Sequence, residues 1–492
     1  MSLYVSLFVG LHDSNISFAT DDQVLLHIEA ERVLQRKHAL VTWEEMEQLV
    51  HVGLNAIGRR ICDINTLYVG RWGCRSVNRI TLLGRKFCPI WTDHHANHVG
   101  LAKYLGWEDA IAVCADGGSE NGCSAVYFFD GDKYSPVEDL DSTILTGRFY
   151  GTLTQLVIGS DFEKAHIHWP GKTMGLSGFG TYDDEIAQLI KEDVAVFNRL
   201  NLRGINELEK RYGLQAESGN RCHHRWNIGR TGQQLWEDIW ISKLAEYAHL
   251  SSRLIFSGGC ALNVLLNHRI RKSSLFSDIF VPPTASDCGQ ALGAILHRHY
   301  PKCKFPFLGF SYGEMTKVPD RAVDDLAAGR IVLWFNGRSE IGPRALGHRS
   351  ILGLPDSIDR RIRLSQEVKG REWYRPVAAV IREEIAADWF EVNVPSPFML
   401  EALPVKEKTR KIAPAIVHVD GTCRLQTVSA DQDPILWGLL EKVHQETGCP
   451  MLMNTSMNVR EKPICDSPED ALRLFNSCGA DILYLNDETI EK

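Results

Sequence analysis

Arg338, Arg344 and Arg349 fall within twelve residues of the segment Gly337–Ser350 (GRSEIGPRALGHRS), spaced by Gly342, Pro343 and Gly347. Glycines let a backbone approach a ligand closely, and a guanidinium offers a planar donor fork for phosphate or carboxylate. Alone, the segment reads as readily as a solvated loop with an ion pair to Glu340. Further basic and polar stretches follow, KGREWYRP at Lys369–Pro376, DGTCRLQT at Asp420–Thr427 and MNTSMN at Met453–Asn458. Together these read as the walls of one anion pocket.

A second chemistry comes from His94 and His98 in Trp91–Gly100 (WTDHHANHVG). If the run to Tyr104 is helical, the two rings lie at i and i+4 on one face, close enough to share a cation through neutral imidazoles. A lone His–His pair is more often a plain helix face. Here two polar turns add carboxylates, Asp116 in Asp116–Ser119 and Asp287 in Ala285–Asp287. Two imidazoles and two oxygen donors suit a divalent ion such as iron(II), manganese or zinc.

These residues need elements to hold them. Tyr4–Gly10 reads as a strand, His12–Asn15 as a polar turn, and Ile16–Thr20 with Gln23–Glu29 as a hairpin about Asp21-Asp22. The phrase repeats: Ala110–Ala115 is a strand, Asp116-Gly117-Gly118-Ser119 a turn, and Ser124–Phe129 with Lys133–Val137 a hairpin. A doubled strand, turn and hairpin marks the actin-like, sugar-kinase-like architecture, in which two related lobes serve a nucleotide. Leu254–Phe256 then ends at a glycine turn, Ser257–Asn263, before a helix-like run, which offers N–H groups and a helix dipole to an anion. Gly117, Gly118, Gly258, Gly259 and Asn263 are accordingly candidate nucleotide contacts. Ile279–Pro283 repeats the pattern before Asp287, and Pro301–Tyr312 reads as a linker.

At 492 residues, two or more domains are expected. The net charge of −8 argues against an extended nucleic-acid surface but not against local basic pockets. No apolar run reaches the length of a membrane span. Met1–Gly10 has no basic flank and reads as a buried strand rather than a signal peptide. Thirteen cysteines, an odd number without a C-x-x-C pair, read as reduced thiols of a cytoplasmic protein.

The chain resembles the O-carbamoyltransferases of antibiotic and nodulation-factor biosynthesis. The match runs through GLHDSNIS, EAERVLQRKH, DHHANH, SGGCALN, VPPTASDCGQALGA, GRSEIGPRALGHRS, KGREWYRP, HVDGTCRLQTVS and MNTSMNVREKPI. It is weak over Glu138–Trp240, apart from GKTMGLSGFG, and acceptor choice is expected there. The resemblance implies an α/β protein with an N-terminal actin-like domain (1–307), similar to the tRNA threonylcarbamoyl-transferase, and a C-terminal YrdC-like domain (308–492). It implies ATP and carbamoyl phosphate as cosubstrates, with magnesium accompanying ATP. They would form a carbamoyl-adenylate whose carbamoyl group passes to a hydroxyl of a small natural product.

On the matching positions, the resemblance assigns the phosphates to Arg344, Lys369, Arg375 and Arg424. It gives carbamoyl orientation to Asn454, Ser456 and Asn458, a nucleotide contact to Lys37, and catalysis to His12. His94, His98, Asp116 and Asp287 match its metal ligands, with iron(II) favoured. The chain departs from the pattern at Val377-Ala378-Ala379, where Phe-Ala-Pro is usual, and at Met457, where Phe is usual. No nucleic acid or membrane partner is implied, and a homo-oligomer is compatible. Hydrogenase-maturation carbamoyl transfer is a rival, but its acylphosphatase segment and C-x-x-C fingers are missing. A sugar-kinase-class phosphotransferase leaves the C-terminal basic motifs unused. A non-catalytic nucleotide-binding regulator leaves the metal set and His12 unused.

Overall fold

The structure, a computed structural model, describes residues 2–71, 77–120, 122–159, 169–199, 201–214 and 223–492. Both copies of the repeated phrase form. In the first, β1 (Leu3–Val9), β2 (Asn15–Ala19), β3 (Val24–Glu29) and β4 (Ile64–Arg71) precede a separate hairpin, β5 (Ile80–Leu82) and β6 (Arg85–Phe87), and then β7 (Ile90–Trp91). The sheet order is β3-β2-β1-β4-β7, with an antiparallel meander on one side of β1 and parallel β4 and β7 on the other. In the second, β8 (Ala110–Ser119), β9 (Gly122–Phe129), β10 (Tyr134–Asp139), β11 (Arg253–Ser257) and β12 (Asp278–Phe280) give the order β10-β9-β8-β11-β12. Every strand sense matches the first copy. A five-stranded sheet of one mixed topology occurring twice is the actin-like fold.

The central strands are buried on both faces, so β1 and β8 read as apolar runs rather than alternating ones. Helix Trp43–Ala56 covers the first sheet with Met46, Leu49, Val50 and Leu54. Its start is fixed by a capping box between Thr42 and Glu45. Between β10 and β11 the described residues of the weakly matching region are mostly helical, and GKTMGLSGFG begins on helix Pro170–Ser177. Among the described residues, no helix is long and apolar enough to cross a membrane.

The C-terminal part is a mixed eight-stranded sheet. Its strands are β13 (Val332–Phe335), β14 (Arg349–Gly353), β15 (Ala378–Arg382), β16 (Ala402–Pro404), β17 (Thr422–Val428), β18 (Met451–Ser456), β19 (Ile482–Leu485) and β20 (Glu488–Glu491). The order β16-β17-β15-β18-β14-β13-β19-β20 puts β14, β15 and β18 side by side in its centre. The basic motifs precede or lie on these strands and β17.

The described chain divides into two compact units. Residues 2–71, 77–91 and 299–492 form one, and residues 92–298 make up the other. Within the first unit, Pro301–Tyr312 is not a free linker. Leu308 and Phe310 are buried. Val24 N donates to Lys302 O and His27 N to Leu308 O, so the segment runs along the edge of β3. Its apolar side chains and the unpaired edge of β3 complete each other, a pairing that composition does not reveal.

Candidate active site

The arginine loop between β13 and β14 is held from both sides. Arg349 is fully buried, stacks 3.6 Å over the Phe335 ring, and donates to the carbonyls of Asn336, Gly337, His348 and Asp466. Arg338 donates to Leu25 O, Leu308 O and Gly309 O. Buried Arg32, from helix Ala30–Leu34, donates to Glu340 O and Gly342 O, while Gly342 N donates to Glu29 Oε1 at 2.6 Å. Glu340 Oε1 accepts from Leu346 N and Arg349 N. Arg338 and Arg349 are therefore frame. Arg344 is the arginine this frame presents.

Arg344 meets Arg375 and Arg424. Burial lowers its pKa first, and those two cations lower it further. Arg424, on β17, is pushed down to about 10 by burial and by Arg375. Lys369 is buried, and its ammonium donates to Ser456 O, Ser456 Oγ at 3.2 Å, Asn458 O at 2.8 Å and Asn458 Oδ1. Ser456 Oγ in turn donates to Asn458 Oδ1 at 2.7 Å. Arg375 has an acidic neighbour, Glu372, at 3.7 Å, which is closer to Arg460 at 3.2 Å. Asn454 faces inward: fully buried, it donates to Gln426 Oε1 at 2.7 Å and Ala345 O at 3.3 Å, which grips the loop just after Arg344.

Sequence reading passed over Arg371. It is half-buried, and burial and then Arg375, Arg424 and Arg344 depress its pKa strongly. Its place two residues after Lys369 in a quoted basic motif was the available signal. Lys37, in the turn after helix Ala30–Leu34, adds to the same cluster: burial lowers its pKa, Glu31 opposes this, and Arg375 and Arg371 lower it again. Arginine stays protonated in proteins, so these depressions register electrostatic strain that an anion would relieve.

His12 sits in the turn after β1, with its side chain one-third exposed. Its Nδ1 lies 3.0 Å from Asp13 Oδ2. Asp13 Oδ1 is 2.7 Å from His38 Nδ1.

In the second unit, helix His94–Val99 starts at Asp93, whose carboxylate caps Ala96 N, and is shorter than the predicted run to Tyr104. It ends at Gly100, where a Cβ would meet His297 and the Ala96 carbonyl, so glycine is the residue that fits there. His94 and His98 still share a face. His98 Nε2 lies 3.1 Å from Asp116 Oδ2 and 3.3 Å from Asp287 Oδ1, and His94 Nε2 lies 3.7 Å and 3.4 Å from the same oxygens. One ligand atom from each of the four residues falls within 4.8 Å of the others. His98 Nδ1 is backed by Ser257 Oγ at 3.4 Å, and Gln290 Nε2 donates to His94 O at 3.2 Å. Burial opposes charge on His94, but Asp287 and Asp116 outweigh it and push its pKa up to about 10. Two buried imidazoles and two carboxylates facing one point fit a divalent cation in donor type and number.

The glycine turn supports this group. At Gly258 (φ +92) a Cβ would lie 2.3 Å from Ala115 O, so glycine lets the turn press against β8 beside Asp116. Gly259 borders Asp116 Oδ1, Gly117 is open, and Gly118 lies next to Arg148. Asn263 caps helix Val264–Lys272 by accepting from Leu266 N and exchanges hydrogen bonds with buried Gln233. That side chain is committed to the frame.

Two family models match the chain, "Carbamoyltransferase N-terminus" over residues 85–296 and "Carbamoyltransferase C-terminus" over residues 323–492. Nodulation protein NolNO of Sinorhizobium fredii is 28% identical over 98% of this chain and 79% of its own. Nodulation protein NolO of Bradyrhizobium diazoefficiens is 30% identical over 81% of this chain and 79% of its own. Among solved structures, the activator of the 2-hydroxyisocaproyl-CoA dehydratase from Clostridium difficile with bound ADPNP is 13% identical, with a TM-score of 0.38 over 60% of this chain and 94% of that one.

Proposed function

The chain belongs to the carbamoyltransferase family, and from that premise we propose an ATP-dependent O-carbamoyltransferase. In this reading residues 308–492 are a YrdC-like domain that forms a carbamoyl-adenylate, and residues 1–307 pass the carbamoyl group to a hydroxyl of a small natural product. Carbamoyl phosphate loses its phosphate to water, and a carbamate oxygen attacks the α-phosphorus of ATP. The bond to the β-phosphate breaks and pyrophosphate leaves. The acceptor oxygen then attacks the carbamoyl carbon, the bond to AMP breaks, and the hydroxyl proton goes to His12.

The observation that carries this reading is that Arg344, Arg371, Arg375 and Arg424, all half-buried, lie close enough to depress one another, with Lys37 and Lys369 beside them. That much positive charge suits a polyphosphate and the charge that develops as pyrophosphate leaves. Ser456 and Asn458, ordered by Lys369, would orient the uncharged carbamoyl end. A divalent cation, iron(II) favoured, held by His94, His98, Asp116 and Asp287 would supply Lewis acidity toward a carbonyl or phosphate oxygen. His12→Asn should abolish transfer and keep carbamoyl-adenylate formation, whereas Arg424→Ala should lose both. Equal loss of adenylate formation in the two variants would count against separate steps.

A further inference from the structure

Two loops of the first unit meet around one carboxylate. Asp13, in the turn after β1, takes His12 Nδ1 on one oxygen at 3.0 Å and His38 Nδ1 on the other at 2.7 Å. Its side chain is 10% exposed, against 33% for His12 and 20% for His38. The two rings stand nearly perpendicular with centroids 6.5 Å apart.

Both loops adopt backbone that L residues rarely choose. Asp13 has φ +52, His38 φ +51, and Gln35, which ends helix Ala30–Leu34, φ +50. Such conformations persist only where the surroundings enforce them, and they concentrate at functional sites. The enforcing contacts are visible. Ser14 N donates to Ala39 O, Asn15 Nδ2 donates to Asp13 O at 2.7 Å, and His38 N donates to Glu31 Oε2 at 2.8 Å. The charged groups facing the cluster are Asp13 from the first turn, Glu29 at the end of β3, Glu31 and Lys37 from the second loop and its helix, and Arg371 and Arg375 near Lys37.

We propose that Asp13 and His38 are positioning residues for His12: the shared carboxylate fixes His12 with its proton on Nδ1 and so presents Nε2 to the acceptor hydroxyl. This rests on His12 being the proton acceptor of the transfer step. The proton moves from the hydroxyl to Nε2, and Asp13 stabilises the resulting imidazolium. His38 bonds the other oxygen of the same carboxylate, so the two rings share what Asp13 can offer His12. Asp13, Glu31 and His38 also place three donor atoms within 4.8 Å of one another. A cation there would have to break the 2.7 Å Asp13–His38 contact beside a cationic lysine, which disfavours it.

The test is long-range 15N–1H NMR of histidine rings in the full-length protein. The His12 signal is identified by its loss in His12→Gln, and folding of each variant is checked by circular dichroism. In wild type at neutral pH, His12 should carry its proton on Nδ1. Asp13→Asn should lower the midpoint of His12 titration, because a carboxylate that favours imidazolium is gone. His38→Gln should raise it, because a competing ring is gone. Opposite shifts are what a shared carboxylate demands, whereas a purely structural role moves neither midpoint or both in one direction. An Nε2-protonated His12, or midpoints that do not move apart, overturns the proposal. The readout needs no acceptor, so carbamoyl-adenylate formation measured separately on wild type decides the proposed function independently.

Discussion

The cation pocket makes a prediction with an unusual sign. Removing a guanidinium from a half-buried cluster should make the ligand-free protein more stable, not less. Arg371 makes no side-chain hydrogen bond among the described residues and has Arg344, Arg375 and Arg424 as its closest like charges. Like charges a few ångströms apart cost roughly 2–4 kcal/mol per pair at an effective dielectric constant of about 20. Solvent reaches this half-buried group, and screening cuts the relief on deletion to about 1 kcal/mol. That corresponds to a rise in melting temperature of roughly 1–2 °C in Arg371→Ala.

Ligand reverses the order. An anion at one hundred times its dissociation constant stabilises the native state by about 2.7 kcal/mol, or roughly 3–5 °C. Wild type should show this rise with inorganic pyrophosphate, and Arg371→Ala should lose most of it. Calorimetric melts of both proteins across a pyrophosphate titration, at low and high sodium chloride, give the two curves and their crossing point. Salt alone should also stabilise wild type more than the variant. A variant less stable without ligand that keeps the full pyrophosphate shift would show that Arg371 belongs to the frame and not to the pocket.

Further expectations follow from the same geometry. His94→Ala should leave the purified protein without its divalent metal by elemental analysis; unchanged metal content would remove the four-residue ligand set. Arg349→Met should cost about 3–5 kcal/mol in chemical denaturation, since it removes the guanidinium donor from the buried carbonyls of Asn336, Gly337 and Asp466. A loss under about 1 kcal/mol would refute its role as frame. Burial opposes charge on Asp13, but its two histidine partners outweigh this and hold its pKa well below the usual carboxylate range. A lowered carboxylate pKa gives stability that is present above the ordinary value and lost as pH falls. The stability gap between wild type and Asp13→Asn should therefore close below about pH 4. A gap that widens on acidification would contradict the pairing.

Much of the fold was legible because the signal is local. Strand, polar turn and hairpin are encoded within about thirty residues, and the phrase at Tyr4–Glu29 recurs at Ala110–Val137. The His94–His98 spacing was legible for the same reason, although the helix ends at Gly100, where His297 packs too close for any side chain, a contact that sequence cannot foresee. Non-local geometry was not legible. Asp13 reaches His38 only because two loops with left-handed residues fold against each other. Pro301–Tyr312 looked like a linker because its composition is Pro- and Lys-rich, yet it completes the β3 edge. Asn454 and Asn263 carry ligand-suited side chains, but the structure spends both on holding other residues.

The measurement that bears most directly on the proposed chemistry is pyrophosphate release from ATP by the purified, iron(II)-loaded protein, with and without carbamoyl phosphate, over a panel of hydroxylated acceptors. Release of pyrophosphate and AMP that requires carbamoyl phosphate, together with a product heavier by one carbamoyl group, is the predicted result. No carbamoyl-phosphate-dependent pyrophosphate with any acceptor, or ATP cleaved to ADP instead, would contradict it.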